Sequence, residues 1–276
     1  MSIGSAPSPV KVALVTGASR GIGRAAAHSL GRRGYAVAIA ARTLDAEPGG
    51  PDGLHEAAFA LSAEGIQVLP VPLDLGDLGS IEQAVDRVLG EWGRVDALVN
   101  NAIAVFPASV QRVAEADPHD LERVLAVNVA GPVRLIQAVL PGMRERGEGV
   151  IVNVLSEVAN MDPSGPVEAG GWGFGYAAVK AALQRLSGVL QVEEGPWGLR
   201  AYGFMPGSVW TDSVRAAYPT PEAAQAARDL YAFLEPEVPG AAIAWMVDDP
   251  AAAEAAGGVL DVREMMERPD IDLSEG

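Results

Sequence analysis

Short, unbroken apolar runs alternate with stretches of helical period along nearly the whole chain. Such runs at 10–16 (VKVALVT), 35–41 (YAVAIAA), 66–71 (IQVLPV), 95–100 (VDALVN), 149–155 (GVIVNVL), 199–205 (LRAYGFM) and 257–262 (GGVLDV) predict seven strands. Between them, 21–34 predicts a helix that stops at Gly34, a residue suited to the left-handed turn after a helix. A further helix is predicted at 54–64, after a proline- and glycine-rich connection at 42–53 that is long for a strand-to-helix loop. Ser80-Ile81-Glu82-Gln83 has capping-box spacing and predicts a helix start, with the helix ending near Trp92. Asp117-Pro118 predicts an N-cap with proline at N1 and a long helix towards Arg144. Helices are also expected at 176–194 and from Thr220-Pro221 onwards.

Strands that are apolar throughout, rather than alternating, are covered on both faces, and helices between them imply parallel pairing. The expected fold is therefore α/β: a single doubly wound, Rossmann-like domain over 10–262 with a seven-stranded parallel sheet. A leader at 1–9 and a charged tail at 263–276 flank it, with no internal boundary, repeat or low-complexity tract. Composition agrees: 49% of the 276 residues are hydrophobic. With 20 basic against 36 acidic side chains the net charge is −16, which argues against a nucleic-acid partner. No apolar run approaches the roughly 20 residues of a spanning helix, and the first ten residues lack the pattern of a signal peptide. No membrane partner is expected. There are no cysteines, so disulfides and thiolate chemistry are excluded; a reducing, cytoplasmic setting fits, and no metal site is expected.

The segment VTGASRGIGRA at 15–25 has two readings. Gly17-Ala18-Ser19-Arg20-Gly21 matches the G-x-S-x-G elbow of a serine hydrolase, with Ser19 as nucleophile. Gly17, Gly21 and Gly23 also match a glycine-rich turn that admits the phosphates of a dinucleotide, with Ser19, Arg20 and Ile22 between them. The elbow needs an oxyanion donor from a loop after an earlier strand and a histidine after a late one. One strand alone precedes Gly17, and His28, His55 and His119 lie at helix positions that do not fit. The dinucleotide reading needs the motif between the first strand and its helix, where it stands. After the second strand the chain reads Ala41-Arg42-Thr43, with no acid before Asp45 to bind an adenosine ribose. Arg20 and Arg42 therefore favour a 2′-phosphate, hence NADP(H) over NAD(H).

Downstream, Tyr176 and Lys180 stand at i and i+4, on one helical face. A neighbouring ammonium is expected to lower the phenol pKa and make proton transfer to an alkoxide accessible. Ser156 follows an apolar strand, at the sheet end where α/β ligands bind.

Residues 10–262 as a whole resemble the short-chain dehydrogenase/reductase family. The matching pieces come in family order: TGASRGIG, LDL at 73–75, NNA at 100–102, NVAG at 128–131, VNVLS at 152–156, YAAVK at 176–180 and PGSVWTD at 206–212. The resemblance implies Tyr176 as general acid/base, Ser156 as hydrogen-bond partner of the substrate oxygen, and Lys180 as the residue that tunes Tyr176 and holds the nicotinamide ribose. It implies that Asn128 supports a water linking Lys180 to solvent. It assigns Asp74 and Leu75 to adenine, Asn101 and Ala102 to its ribose, and Pro206, Gly207, Val209 and Thr211 to the nicotinamide. The implied reaction is hydride transfer between nicotinamide and a small-molecule carbonyl or secondary alcohol. A homo-oligomer, dimer or tetramer, is implied through the helices at 118–144 and 176–194. A sensor or scaffold that keeps the dinucleotide fold without catalysis would have no need of Asn128, Ser156, Tyr176 and Lys180 together.

Three features depart from the family pattern. Ile103 stands where the pattern has glycine, and Ser156 and Tyr176 are 20 residues apart, which implies an enlarged substrate loop at 157–175. Trp172 and Phe174 in that loop, and Trp210 in a lid at 207–238, either wall an apolar substrate or pin these segments to the body. The C-terminal VLDVREMMERPDIDLSEG lacks the glycine-rich ending common in the family.

Overall fold

The computed structural model describes residues 10–45 and 53–273. The expected leader, residues 46–52 of the connection and the last three residues lie outside the described residues. The seven expected strands form: β1 (Val12–Thr16), β2 (Ala36–Ala41), β3 (Val68–Pro72), β4 (Ala97–Asn100), β5 (Gly149–Val154), β6 (Leu199–Met205) and β7 (Val259–Asp261). They make one parallel sheet in the order β3-β2-β1-β4-β5-β6-β7, the doubly wound arrangement. Pairing is in register along the apolar runs; Leu14, for example, lies beside Ala38 of β2 and Leu98 of β4.

Each face of the sheet carries a layer of helices. On one side pack α1 (Gly21–Arg32), α2 (Leu54–Ala63) and α9 (Glu237–Asp248), burying Leu30, Leu54, Leu61 and Trp245 against Val15, Ile39 and Val152. On the other side α3 (Leu78–Trp92), α5 (Gly131–Arg146) and part of α6 (Phe174–Glu194) bury Ile81, Val88, Leu135, Met143 and Leu190 against Leu14, Leu98 and Ile151. A third, smaller cluster joins Ala108, Val124 of α4 (Pro118–Leu125), Leu155, Val179, Leu183 and Met205 near the carboxyl ends of β5 and β6.

Several elements differ from the sequence reading. Asp77, not Ser80, caps α3: its carboxylate accepts from the Gly79 amide, while the Ser80 hydroxyl accepts from the Asp74 amide and fixes the turn before the helix. The helix from Asp117 is not uniform, because α4 passes through a π-helical turn at Ala126–Ala130 before α5 begins. This stretch, Pro118–Arg146, is also long and apolar enough to cross a membrane by length and composition, against the expectation that no segment qualifies. Its apolar residues Leu135, Ile136, Val139 and Met143 are buried against the sheet. Helix α9 was not expected. All of Pro239–Val247 is buried, so the stretch shows no polar face from which a helical period is read, and its Pro-Gly pair imitates a loop. Beyond β7 the chain is packed: α10 (Val262–Met266) buries Met265, and Ile271 also joins the core.

Two small helices, α7 (Asp212–Ala216) and α8 (Pro221–Tyr231), form an excursion between β6 and α9, with Thr220 capping α8 as expected. Its neck is closed where the Trp210 amide donates to the Leu234 carbonyl and the Leu234 amide to the Ser208 carbonyl, both at 2.8 Å.

Candidate active site

Strand order reverses at β1 and β4, which are neighbours in the sheet although two strands separate them in the chain. Their connections leave on opposite faces and open a crevice at the carboxyl edge. A cleft of about 470 Å³ occupies it. The glycine-rich turn forms one wall. Gly17 and Gly21 have φ of +66° and +55°, the left-handed region that side chains avoid. A Cβ on Gly17 would lie 2.8 Å from the Ala102 Cα. Gly23 faces away from the cleft and lets α1 close onto the Gly17 carbonyl, so it shapes the turn without lining it. Thr16 and Asn101 lock the turn to β4. The Thr16 hydroxyl accepts the Asn101 and Ala102 amides, each at 3.0 Å, and the Asn101 side-chain amide donates to the Thr16 carbonyl at 2.9 Å.

Helix α1 begins at the cleft with no side-chain cap and no acid in its first turn. Its first amides and the positive end of its dipole therefore face the space lined by Ser19, Arg20, Gly21 and Ile22. Arg42, Asp74 and Leu75 line the same end. Among the described residues neither Arg20 nor Arg42 has a carboxylate partner. Asp45, the first acid after β2, is hydrogen-bonded to His55 at 2.8 Å. An anion-binding turn, an open helix N-terminus and two guanidiniums without a carboxylate partner among the described residues are the donor set that a dinucleotide phosphate group requires.

At the other end β5 delivers Ser156, and α6 delivers Tyr176 and Lys180 into the cleft wall. Helix α6 starts at Phe174, two residues earlier than expected, which seats Tyr176 in its first turn. Burial pushes the Tyr176 phenol above the ordinary tyrosine range, and a hydrogen bond with Ser156 pulls it part of the way back. Burial also lowers the Lys180 ammonium to about 8. The expected lowering of Tyr176 by Lys180 is not what this geometry gives. The Lys180 Nζ donates to the Val154 carbonyl at 2.8 Å and lies 5.9 Å from the centre of the Tyr176 ring. Its charge is aimed at the strand end rather than at the phenol oxygen.

Asn128 lies behind the wall, buried in the π-helical turn. Its Oδ1 accepts from the Ala104 amide at 2.7 Å and its Nδ2 donates to the Ala104 carbonyl at 2.8 Å. The side chain thus clamps the loop after β4. Pro206, Gly207, Val209 and Thr211 line the cleft where β6 ends, with Gly207 at φ +68°. Thr211 caps α7 and reaches the phosphate turn, since a Cβ on Gly21 would meet its methyl at 3.3 Å.

The sequence reading missed Thr16, Ala104, Val127 and Leu155, which also line the cleft. The TG and NNA motifs pointed to their neighbours, but which side chain turns inward depends on strand register. Trp210 is buried within the lid, between Tyr218 and Phe233, with the Arg228 guanidinium 4.4 Å from its ring centre. It pins the lid to itself and lines no part of the cleft; Trp172 and the exposed Phe174 do not line it either. The histidines are engaged elsewhere: His28 with Glu64 at 2.8 Å, His119 with Glu122 at 3.5 Å, and His55 as above. None borders the cleft around Ser19, which removes the hydrolase reading.

The sequence profile of the short chain dehydrogenases matches residues 11–222. The chain belongs to the short-chain dehydrogenase family. Members of that family are oxidoreductases that use a nicotinamide cofactor. A D-threitol dehydrogenase of Mycolicibacterium smegmatis is 33% identical over 253 residues, covering 88% of this chain and 87% of its own length. An uncharacterised oxidoreductase of Mycobacterium tuberculosis is 38% identical over 187 residues, 66% of this chain; the chain spans half the length of that relative. Among solved structures, an L-sorbose reductase from Gluconobacter frateurii complexed with NADPH and L-sorbose superposes with a TM-score of 0.79. The two chains are 26% identical, and the match covers 92% of this chain and 95% of that one. An actinorhodin polyketide ketoreductase variant with NADPH gives 0.77 at 30% identity, with the same coverage of both chains.

Proposed function

We propose that this short-chain dehydrogenase is an NADP(H)-preferring oxidoreductase that interconverts a carbonyl compound and a secondary alcohol, with Tyr176 as acid and base. The observation that carries this reading is one cleft with an open helix N-terminus, Arg20 and Arg42 at one end and Ser156, Tyr176 and Lys180 at the other. The two NADPH complexes among similar structures support the cofactor choice. When bound, the cofactor supplies or accepts the hydride at its nicotinamide ring.

Gly17, Gly21 and the α1 amides hold the pyrophosphate, Arg20 and Arg42 the 2′-phosphate, and Asp74, Leu75 and Ala102 border the adenosine. Asn101, whose side-chain amide donates to the phosphate turn, lines the cleft beside Ala102. In reduction the Tyr176 hydroxyl gives its proton to the substrate oxygen as negative charge develops there, and Ser156 donates a second hydrogen bond to the same oxygen. The raised phenol pKa keeps Tyr176 protonated and ready as the acid. Lys180, with N–H groups left beyond the one given to the Val154 carbonyl, would hold the nicotinamide ribose. The Asn128 side chain spends one N–H and one lone pair on Ala104, and its second N–H is left to support a water in a relay from Lys180 to solvent. Tyr176→Phe is expected to lower turnover by about 10²- to 10⁴-fold while NADPH affinity, read by nicotinamide fluorescence, is retained. Normal turnover in that variant overturns the mechanism; loss of turnover together with NADPH binding would mean that the substitution damaged the site.

A further inference from the structure

Ile103, Ala104, Leu155 and Val209 line the same cleft as the Ser156 and Tyr176 side chains. Ile103 is the residue that replaces glycine in the family pattern. It is 40% exposed. A branched hydrocarbon on a cleft wall that folding leaves uncovered is apolar area for a ligand to cover. Near Ile103 in the chain, Val105 is 67% exposed, Phe174 at the start of α6 is 55% exposed and Met161 in the loop after Ser156 is 56% exposed. The two loops are docked on each other, because Gly173 and Gly175 approach the backbones of Ser109 and Ala108 more closely than any Cβ would allow.

The arginines around the Ser156 half of the cleft are paired with carboxylates. Arg112 pairs with Glu168 at 2.7 Å, Arg123 with Asp120 at 3.2 Å, Arg215 with Asp212 at 3.8 Å and Arg263 with Glu157 at 3.9 Å. Lys180 is buried against the Val154 carbonyl. Among the described residues the cation that a substrate carboxylate or phosphate would meet here is therefore a buried lysine already hydrogen-bonded to a backbone carbonyl, and the net charge of −16 opposes an anion at a distance. Beyond Ser156, Tyr176 and Lys180, the polar side chains that line the cleft past β6 are Thr211, Asp212 and Ser213, and the Thr211 hydroxyl already caps α7, so few are left to replace the hydration of a polyol.

Resting on the oxidoreductase reading above, we propose that the substrate is a neutral ketone or secondary alcohol with an alkyl or alicyclic body, and that Ile103 selects for that body. The test follows NADPH oxidation with methyl ketones from 2-butanone to 2-octanone, beside erythrulose as a polyhydroxylated ketone and pyruvate as an anionic one. Each added methylene is expected to raise kcat/KM about two- to four-fold, so that 2-octanone exceeds 2-butanone by at least about ten-fold. Erythrulose and pyruvate are expected to fall below 2-butanone. Ile103→Gly and Ile103→Asn are expected to reduce the 2-octanone to 2-butanone ratio about five-fold, with thermal melting confirming that each variant is folded. A flat alkyl series, or faster turnover of erythrulose or pyruvate, overturns the substrate class and leaves the oxidoreductase reading standing. A wild-type ratio in both folded Ile103 variants overturns the selecting role. Absence of turnover with every ketone by protein that binds NADPH overturns the oxidoreductase reading and this proposal with it.

Discussion

Lys180 and Arg42 are the residues whose chemistry the fold alters most, in opposite ways. Lys180 is buried as a cation, and its pKa of about 8 lies below the 10.5 of an unfolded lysine. Between those values the folded chain binds fewer protons than the unfolded one, so this residue makes stability rise as pH rises. Below pH 8 the lysine is protonated in both states and the penalty for burying the charge is at its full size. Chemical denaturation of wild type and Lys180→Met at pH 7 and pH 10 is expected to show wild type gaining on the variant, by on the order of 2–3 kcal/mol. A constant difference would mean that Lys180 is solvated. Arg42 by contrast is exposed and holds no carboxylate among the described residues. Its place was legible because a strand end and a missing acid are both written in the sequence, whereas the direction of the Lys180 ammonium was not. The spacing of Tyr176 and Lys180 puts them on one helical face, but the Val154 carbonyl that takes the ammonium comes from a distant strand. Arg42→Asp is expected to weaken NADPH binding about 10- to 100-fold by removing a charge-assisted hydrogen bond and to favour NADH, as read by titrating both cofactors.

Elements were legible where their patterns were local and opaque where packing overrode them. The strands were predicted because each is a short apolar run bounded by turn residues, and the N-caps of α4 and α8 because Asp117 and Thr220 precede prolines. The start of α3 was misread because Ser80 and Asp77 both suit a cap; only the fold shows that the serine hydroxyl is taken by the Asp74 amide. Helix α9 escaped because burial on all sides erases period. Its closeness to α1 also explains the Pro-Gly pair that disguised it. Gly240 packs on Ala25, and a Cβ there would lie 2.7 Å from the Ala25 carbonyl carbon. Gly240→Ala would gain about 1 kcal/mol in helix propensity, but two packed helices must part to admit the methyl, which costs about 1–3 kcal/mol. The expected net result is a lower urea midpoint with unchanged slope; an increase would show that α1 and α9 are not in tight contact.

At the scale of the whole molecule, the doubly wound sheet and the position of its cleft follow from element order alone, since a parallel sheet that reverses winding at β1 and β4 has one crevice to offer. The outer surface is less constrained by that order, and here the exposed residues are informative. The outward side of α6 carries Val189 and Val192, 41% and 78% exposed, and the neighbouring α4 ends in Leu125, 39% exposed. Val189 and Val192 are three residues apart and share a helical face, so they form an apolar stripe that the fold leaves uncovered. An apolar stripe on a long helix suits the self-complementary contact of a two-fold interface, where the same face of a second copy covers it. This is the surface through which we infer that the chain assembles as a dimer or tetramer. A glutamate at the centre of such an interface would bring two negative charges together across the axis in a chain that is already acidic. Light scattering after size exclusion is therefore expected to give wild type at the mass of a dimer or tetramer, and Val192→Glu at a smaller mass with its thermal unfolding still cooperative. Wild type at monomer mass would overturn assembly altogether. An unchanged mass in Val192→Glu would place the interface on another face.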